Sequence, residues 1–307
     1  MSFRLGVDSR EISARNLNLN SMIYLILQVV FASSFTLFIK WAQIRRQENV
    51  ITIGAINYIV AAVSIIPVFF VSNLSPVSFG ALWTGGSMGA VYFIAFFFAI
   101  YSIRKVGAST TTVVSVLSIL MPIGFAAIVW QEKPDVVQSI GIGMALLALT
   151  LIGAQKNPHP SDFETKSRWM VPLVLFSFFL LCGFSRLSQE AFKHVSSPEH
   201  RPTFILAAFT VAAIPSLIVL IYGRRMPSPM EWFIGFLMGI SNNLQTYFVL
   251  LALHYFEGFI VFPVTSAGGI VLTTLVATGL LKEQLNKRTY AGIAIAVVSL
   301  FLLYWIP

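Results

Sequence analysis

The chain has 307 residues, of which 57% are apolar types and only 10% are charged, with a formal net charge of +8. A soluble domain carries roughly 25% charged residues, so this composition excludes an ordinary soluble protein and points to lipid. Lys and Arg are scattered over short segments between apolar runs, which fits topology control and contact with anionic head groups and argues against nucleic acid as a partner.

A tail over residues 1–20 leads into the first apolar run, 16–39, which is too long for a signal-peptide core and lacks a small-residue cleavage site after it. The next run, 49–103, is too long for one helix. It breaks at Ser72-Asn73-Leu74-Ser75-Pro76 into 50–72 and 81–103, because proline and polar turn formers end helices. Further runs cover 106–131, 136–155, 169–185, 202–223, 232–256, 258–281 and 289–307. A bilayer core about 30 Å thick takes about 20 residues of helix. Continuous apolar runs lack the alternation of barrel strands, so the reading is an all-α membrane protein of ten spans.

The chain also repeats itself. A shift of 151 residues lays Gly107 on Gly258, Val113 on Val264, Glu132 on Glu283 and Gly141-Ile142 on Gly292-Ile293. A shift of 150 lays Gly85, Met88 and Gly89 on Gly235, Met238 and Gly239, and one of 148 lays Ile66-Pro67 on Ile214-Pro215. The expected units are 21–155 and 169–307, joined by 156–168. Five spans is an odd number, so the second unit enters the membrane from the opposite side. That makes an inverted repeat, a frequent plan in secondary transporters.

Two stretches are specific. Trp130-Gln131-Glu132-Lys133-Pro134 precedes Gln138 and Gly141, and Leu281-Lys282-Glu283-Gln284-Leu285 precedes Gly292, each before an apolar helix. This resembles the twice-repeated pattern of the drug/metabolite transporter superfamily, EamA branch, over nearly the whole chain. The resemblance implies ten helices around a central cavity that opens alternately to each side, and it names no substrate. Glu132, Gly141, Glu283 and Gly292 are expected to be structural, the carboxylates orienting the helix that follows each of them.

Substrate-cavity candidates are sought among neutral polar groups, because every charged residue falls between or at the ends of the charge-free runs. Thr111, Ser115, Ser118 and Pro122 share one face of the fourth span, and the 151-residue shift carries them to Phe262, Ser266, Gly269 and Thr273. Close packing through small residues is the competing account of both stripes. Asn242, Gln245 and Thr246 share a face of the eighth span, where unpaired amides in hydrocarbon are costly, so a cavity wall or a partner helix must receive them. Arg186 is expected to snorkel to the interface from the end of the sixth span. Gly85, Gly89, Gly235 and Gly239 are expected to allow close helix approach. Pro122 is expected to free a backbone carbonyl near Ser118.

No metal-ligating cluster, nucleophile elbow or phosphate loop is visible, so no metal, no cofactor and no enzyme are expected. The first span lacks the acid that small multidrug members of the superfamily use for proton exchange, and none is expected elsewhere within the membrane. The lone Cys182 permits no intrachain disulfide.

The functional expectation is a multi-pass transporter of a small metabolite, working by alternating access in a bacterial inner membrane. Its partners are then a small-molecule substrate and the lipid bilayer, with a homodimer as a possible arrangement. The alternative is a non-transporting sensor or assembly protein on the same fold. The side holding both termini carries Arg4, Arg10, Arg15, Lys133, Arg186, Lys193 and Arg201, fewer basic residues than the other side, which places the termini outside. The resemblance implies termini inside.

Overall fold

The computed structural model describes residues 9–44, 49–72, 77–106, 108–132, 134–153, 170–223, 226–281 and 287–304. Among them there is no strand. The helices are α1 (Ser9–Ile44), α2 (Val50–Ser72), α3 (Phe79–Val106), α4 (Ala108–Leu117), α5 (Leu120–Phe125), α6 (Val136–Gly153), α7 (Met170–Val195), α8 (Arg201–Tyr222), α9 (Pro229–Tyr255), α10 (Gly258–Leu281) and α11 (Lys287–Tyr304). Among the described residues, 8 segments are long and apolar enough to cross a bilayer, and Val136–Ile152 is a shorter apolar helix. The fourth span is composite, made of α4, α5 and a π-helical turn, Ala126–Trp130. With α6 and α11 the expected ten spans are complete. Glu283 lies outside the described residues, as do the tip of the second loop (73–76) and the 156–168 linker.

The two units are interleaved. The main packing pairs join one unit to the other, and most occur twice with the units exchanged. Thus α1 lies on α9 as α7 lies on α3, and α2 lies on α9 as α8 lies on α3. Likewise α1 meets α10 as α7 meets α4 and α5, while α2–α8 and α6–α11 pair across the axis.

Lipid supplies no hydrophobic force between helices, so close approach of small residues has to supply the packing. The repeated glycines do this at symmetric places. A Cβ at Gly85 would lie 2.2 Å from the Phe204 carbonyl oxygen, and one at Gly89 would lie 2.1 Å from that of Ala208, so α3 rests on the backbone of α8. On the other side of the axis, a Cβ at Gly235 would lie 2.6 Å from Ile56 and one at Gly239 would lie 2.8 Å from the Asn57 carbonyl oxygen. The motif glycines close the α6–α11 pair: Gly141 abuts Leu303, and Gly292 abuts Ile152 and Ala148.

Helix starts follow local chemistry. Ser228 caps α9 in a capping box with Glu231, with Pro229 in the first turn. The Glu231 carboxylate, fully buried, also receives the Asn49 amide at 2.6 Å and so ties α9 to the start of α2.

Candidate functional site: a charged helix face inside the bundle

The charge-free run 169–185 underestimates the sixth span. Helix α7 continues to Val195, and its span covers Pro172–Val195, so Arg186, Glu190, Lys193 and His194 lie within it. Two expectations are corrected here: charged side chains do enter the span, and an acid does lie inside it. Glu190 has no exposed surface at all. The spacing Arg186, Gln189, Glu190, Lys193, His194 is i, i+3, i+4, i+7, i+8, a single helix face, and that face was the signal available in the sequence.

Arg186 does not snorkel. Its Nη1 donates to the Ser115 carbonyl oxygen at 2.9 Å and to the Ser118 hydroxyl. The acceptor arises where the chain tightens just before Pro122. The chain tightens at Ser118–Ile119, between α4 and α5, where the Ile119 amide donates to Val116 and the Met121 amide to Ser118. The Ser115 carbonyl thereby loses its usual helical donor and becomes available to Arg186 and to the Ser118 hydroxyl, 2.6 Å away. The same place in the other unit shows a related contact. Ser33 of α1 donates to the carbonyl of Gly269, the 151-residue mate of Ser118, at 3.1 Å.

Around Arg186 gathers a polar cluster drawn from both units. The Tyr92 hydroxyl lies against Ser185 and Thr246 and receives Gln189 Nε2 at 3.4 Å, and the Cys182 thiol lies beside Ser115 and Arg186. Of the sequence candidates, Ser115, Ser118 and Thr246 therefore meet at one place. Thr111 is buried on α4, Ser266 is partly buried and Thr273 is buried on α10. Asn242 and Gln245 have a different use. Asn242 Nδ2 donates to Asn57 Oδ1 at 3.2 Å, and Gln245 Nε2 donates to Asn242 Oδ1 at 2.8 Å. Asn243 reaches the Ala61 carbonyl and Ser64. These amides clamp α9 to α2. A shallow apolar surface depression lies elsewhere, between α2, α3 and α8, with Phe96 and Val219 in its wall.

A second cluster sits towards the end of α7. Glu132 does not cap α6. Asp135 does so, accepting the Gln138 amide at 2.7 Å. Glu132 instead accepts from Lys193 Nζ at 3.1 Å and lies 3.3 Å from His194 Nε2, whose ring stacks on Trp130 at 4.0 Å. Gln131, the one described non-glycine residue with positive φ, at 58°, ends the π-helical turn and turns Glu132 towards α7. Lys193 also bonds Glu257, at the start of α10, and Glu190 rests against Gly258, where a Cβ would lie 2.1 Å from its Oε2. Ligand atoms of Glu132, Glu190 and His194 lie within 4.8 Å of one another, a grouping the sequence reading did not foresee. The Lys193 ammonium occupies the position of a cation among these carboxylates, so the arrangement is first an ion-pair network.

A sequence model of the EamA-like transporter family matches residues 19–154 and again 168–305. The chain belongs to the EamA-like transporter family. It is a multi-pass membrane protein, and the two matched stretches agree with the two-repeat plan. This EamA-like chain is also 24% identical over 193 residues to an uncharacterized protein of Haemophilus influenzae (strain ATCC 51907 / DSM 11121 / KW20 / Rd). That match covers 62% of the chain and 64% of the relative, so the chain spans less than two thirds of that protein. One solved crystal structure superposes with a TM-score of 0.73 at 15% identity, over 93% of this chain and 96% of the other, a likeness of fold alone.

Proposed function

We propose that this EamA-like protein is a secondary transporter that moves a small metabolite by alternating access across a bacterial inner membrane, with its substrate site at the Arg186 cluster. The observation that carries this reading is the placement of that cluster. Ser115 and Ser118 lie beside the break in the fourth span, Tyr92 is on α3, Cys182, Ser185, Arg186 and Gln189 are on α7, and Thr246 is on α9. Polar groups within a membrane are costly and mark pathways. Broken helices at membrane depth are tolerated where they line a cavity or are buried in protein. Because the units pack with exchanged contacts, rocking one set of helices against the other can open the cluster to either face in turn.

A counterflow measurement tests this. Proteoliposomes are loaded with a bacterial metabolite extract, and the retained solutes are read by mass spectrometry. The expected result is selective loss of at least one metabolite that protein-free liposomes keep, with Ser115→Leu stopping the loss by filling the site while the protein remains folded. Ser266→Leu, on the symmetry-related stripe, is expected to act alike if that stripe completes the cavity wall. Retention identical to protein-free liposomes would count for the sensor or assembly alternative.

A further inference from the structure

We infer that Arg186 receives the carboxylate of a small organic monoanion, so that the substrate supplies the counter-charge this arginine lacks. The inference rests on the transport reading for its biological meaning and on three observations for its chemistry.

The first is charge. Arginine stays protonated, and a cation inside a span is costly unless it is paired. Among the described residues no carboxylate lies within ion-pair distance of Arg186. Its electrostatic neighbours are Cys182 and Tyr92, both weak acids. Glu190, one turn further along the same face, is turned to Gly258, Lys193 and His194.

The second is the donor count. A guanidinium has five N–H donors in a planar fork. Nη1 is held by the Ser115 carbonyl and the Ser118 hydroxyl. This fixes the fork and leaves the Nε and Nη2 edge without an acceptor among the described residues. That edge is the one that binds a carboxylate through two parallel hydrogen bonds. Arg186 as a residue is partly buried.

The third is the surroundings. Tyr92, Ser185 and Gln189 add neutral donors beside the arginine. Arg201, the other arginine inside a span, faces Tyr247, Tyr255 and Tyr24 and not this cluster. One cation matches one negative charge, which favours a monocarboxylate over a phosphate monoester, which carries nearly two.

The test uses the purified full-length protein in detergent and a panel of three- to eight-carbon and aromatic monocarboxylic acids, each paired with its primary amide. Thermal shift is read first and calorimetric titration second. At least one acid is expected to bind ten-fold or more tighter than its amide. Arg186→Gln is expected to erase that preference, and Arg186→Lys, which keeps the charge but loses the fork, to retain part of it. The acid–amide comparison on the unaltered protein stands even where Arg186→Gln folds poorly. The inference is overturned if no acid outbinds its amide, or if the preference persists in folded Arg186→Gln. The two readings separate cleanly. Acids that bind through Arg186 but never cross proteoliposomes sink transport alone, whereas counterflow of a solute with no preference for acids sinks this inference alone.

Discussion

Replacing Lys193 by methionine is expected to destabilise the protein by about 3 kcal/mol, the range seen when one partner of a buried ion pair is removed. Lys193 is 22% exposed and touches Glu132, Glu190 and Glu257, so its loss leaves three carboxylates facing one another. The loss is expected to depend on pH. Glu132 lies in the loop after the fourth span, where burial and a hydrogen bond shared with Glu257 push its carboxyl up from 4.5 to about 7, with Lys193 opposing them. A raised acid contributes stability that is fully present below its unfolded value and is lost as pH rises through the folded value. Removing the opposing ammonium widens that window upwards. Lys193→Met should therefore melt much earlier than the parent at pH 8.5 and closer to it at pH 5, with Glu190→Gln in the same chain restoring part of the stability. Equal melting of Lys193→Met and the parent at both pH values would remove the ion-pair network as a stabilising element.

The second large effect lies at the glycine contacts. Gly89→Leu should abolish accumulation of folded protein, because its Cβ alone would stand 2.1 Å from the Ala208 carbonyl oxygen, which belongs to helix backbone and cannot rotate away. Overpacking typically costs 1–3 kcal/mol where side chains can adjust, and here α3 and α8 must separate. Gly239→Leu makes the matching contact of α9 with Val60 and the Asn57 carbonyl, and should fail in the same way. Gly143→Leu is the control, since nothing lies within 4 Å of a Cβ there, and it should be tolerated. Expression with fluorescence-detected size exclusion measures all three. Normal accumulation of Gly89→Leu would contradict the α3–α8 packing.

Much of the fold can be read from the chain, because the bilayer imposes a length and the duplication imposes a register. The matched glycine pairs, Pro67 with Pro215, and Gly141 with Gly292 recur at places that are equivalent in space. The charged interior was hidden for a definite reason. An apolar run ends at its first charge, so the sixth span was cut at Ser185 although the helix continues to Val195. The partners that make those charges tolerable, Glu132 and Glu257, are distant in sequence. Only the one-faced spacing from Arg186 to His194 betrays them. For Asn242 the sequence leaves a cavity wall or a partner helix open, because the group it meets, Asn57, stands 185 positions away.

The central claim is that the Arg186 cluster is exposed alternately to the two faces of the membrane. The chain's single cysteine, Cys182, provides the measurement because its thiol lies beside Arg186 and Ser115. Right-side-out and inside-out membrane vesicles are treated separately with a membrane-impermeant methanethiosulfonate, and modification of Cys182 is followed by intact-protein mass spectrometry. Alternating access predicts modification from both faces, slowed from both by Ser115→Leu. A thiol reached from neither face, or from one face only, would contradict it.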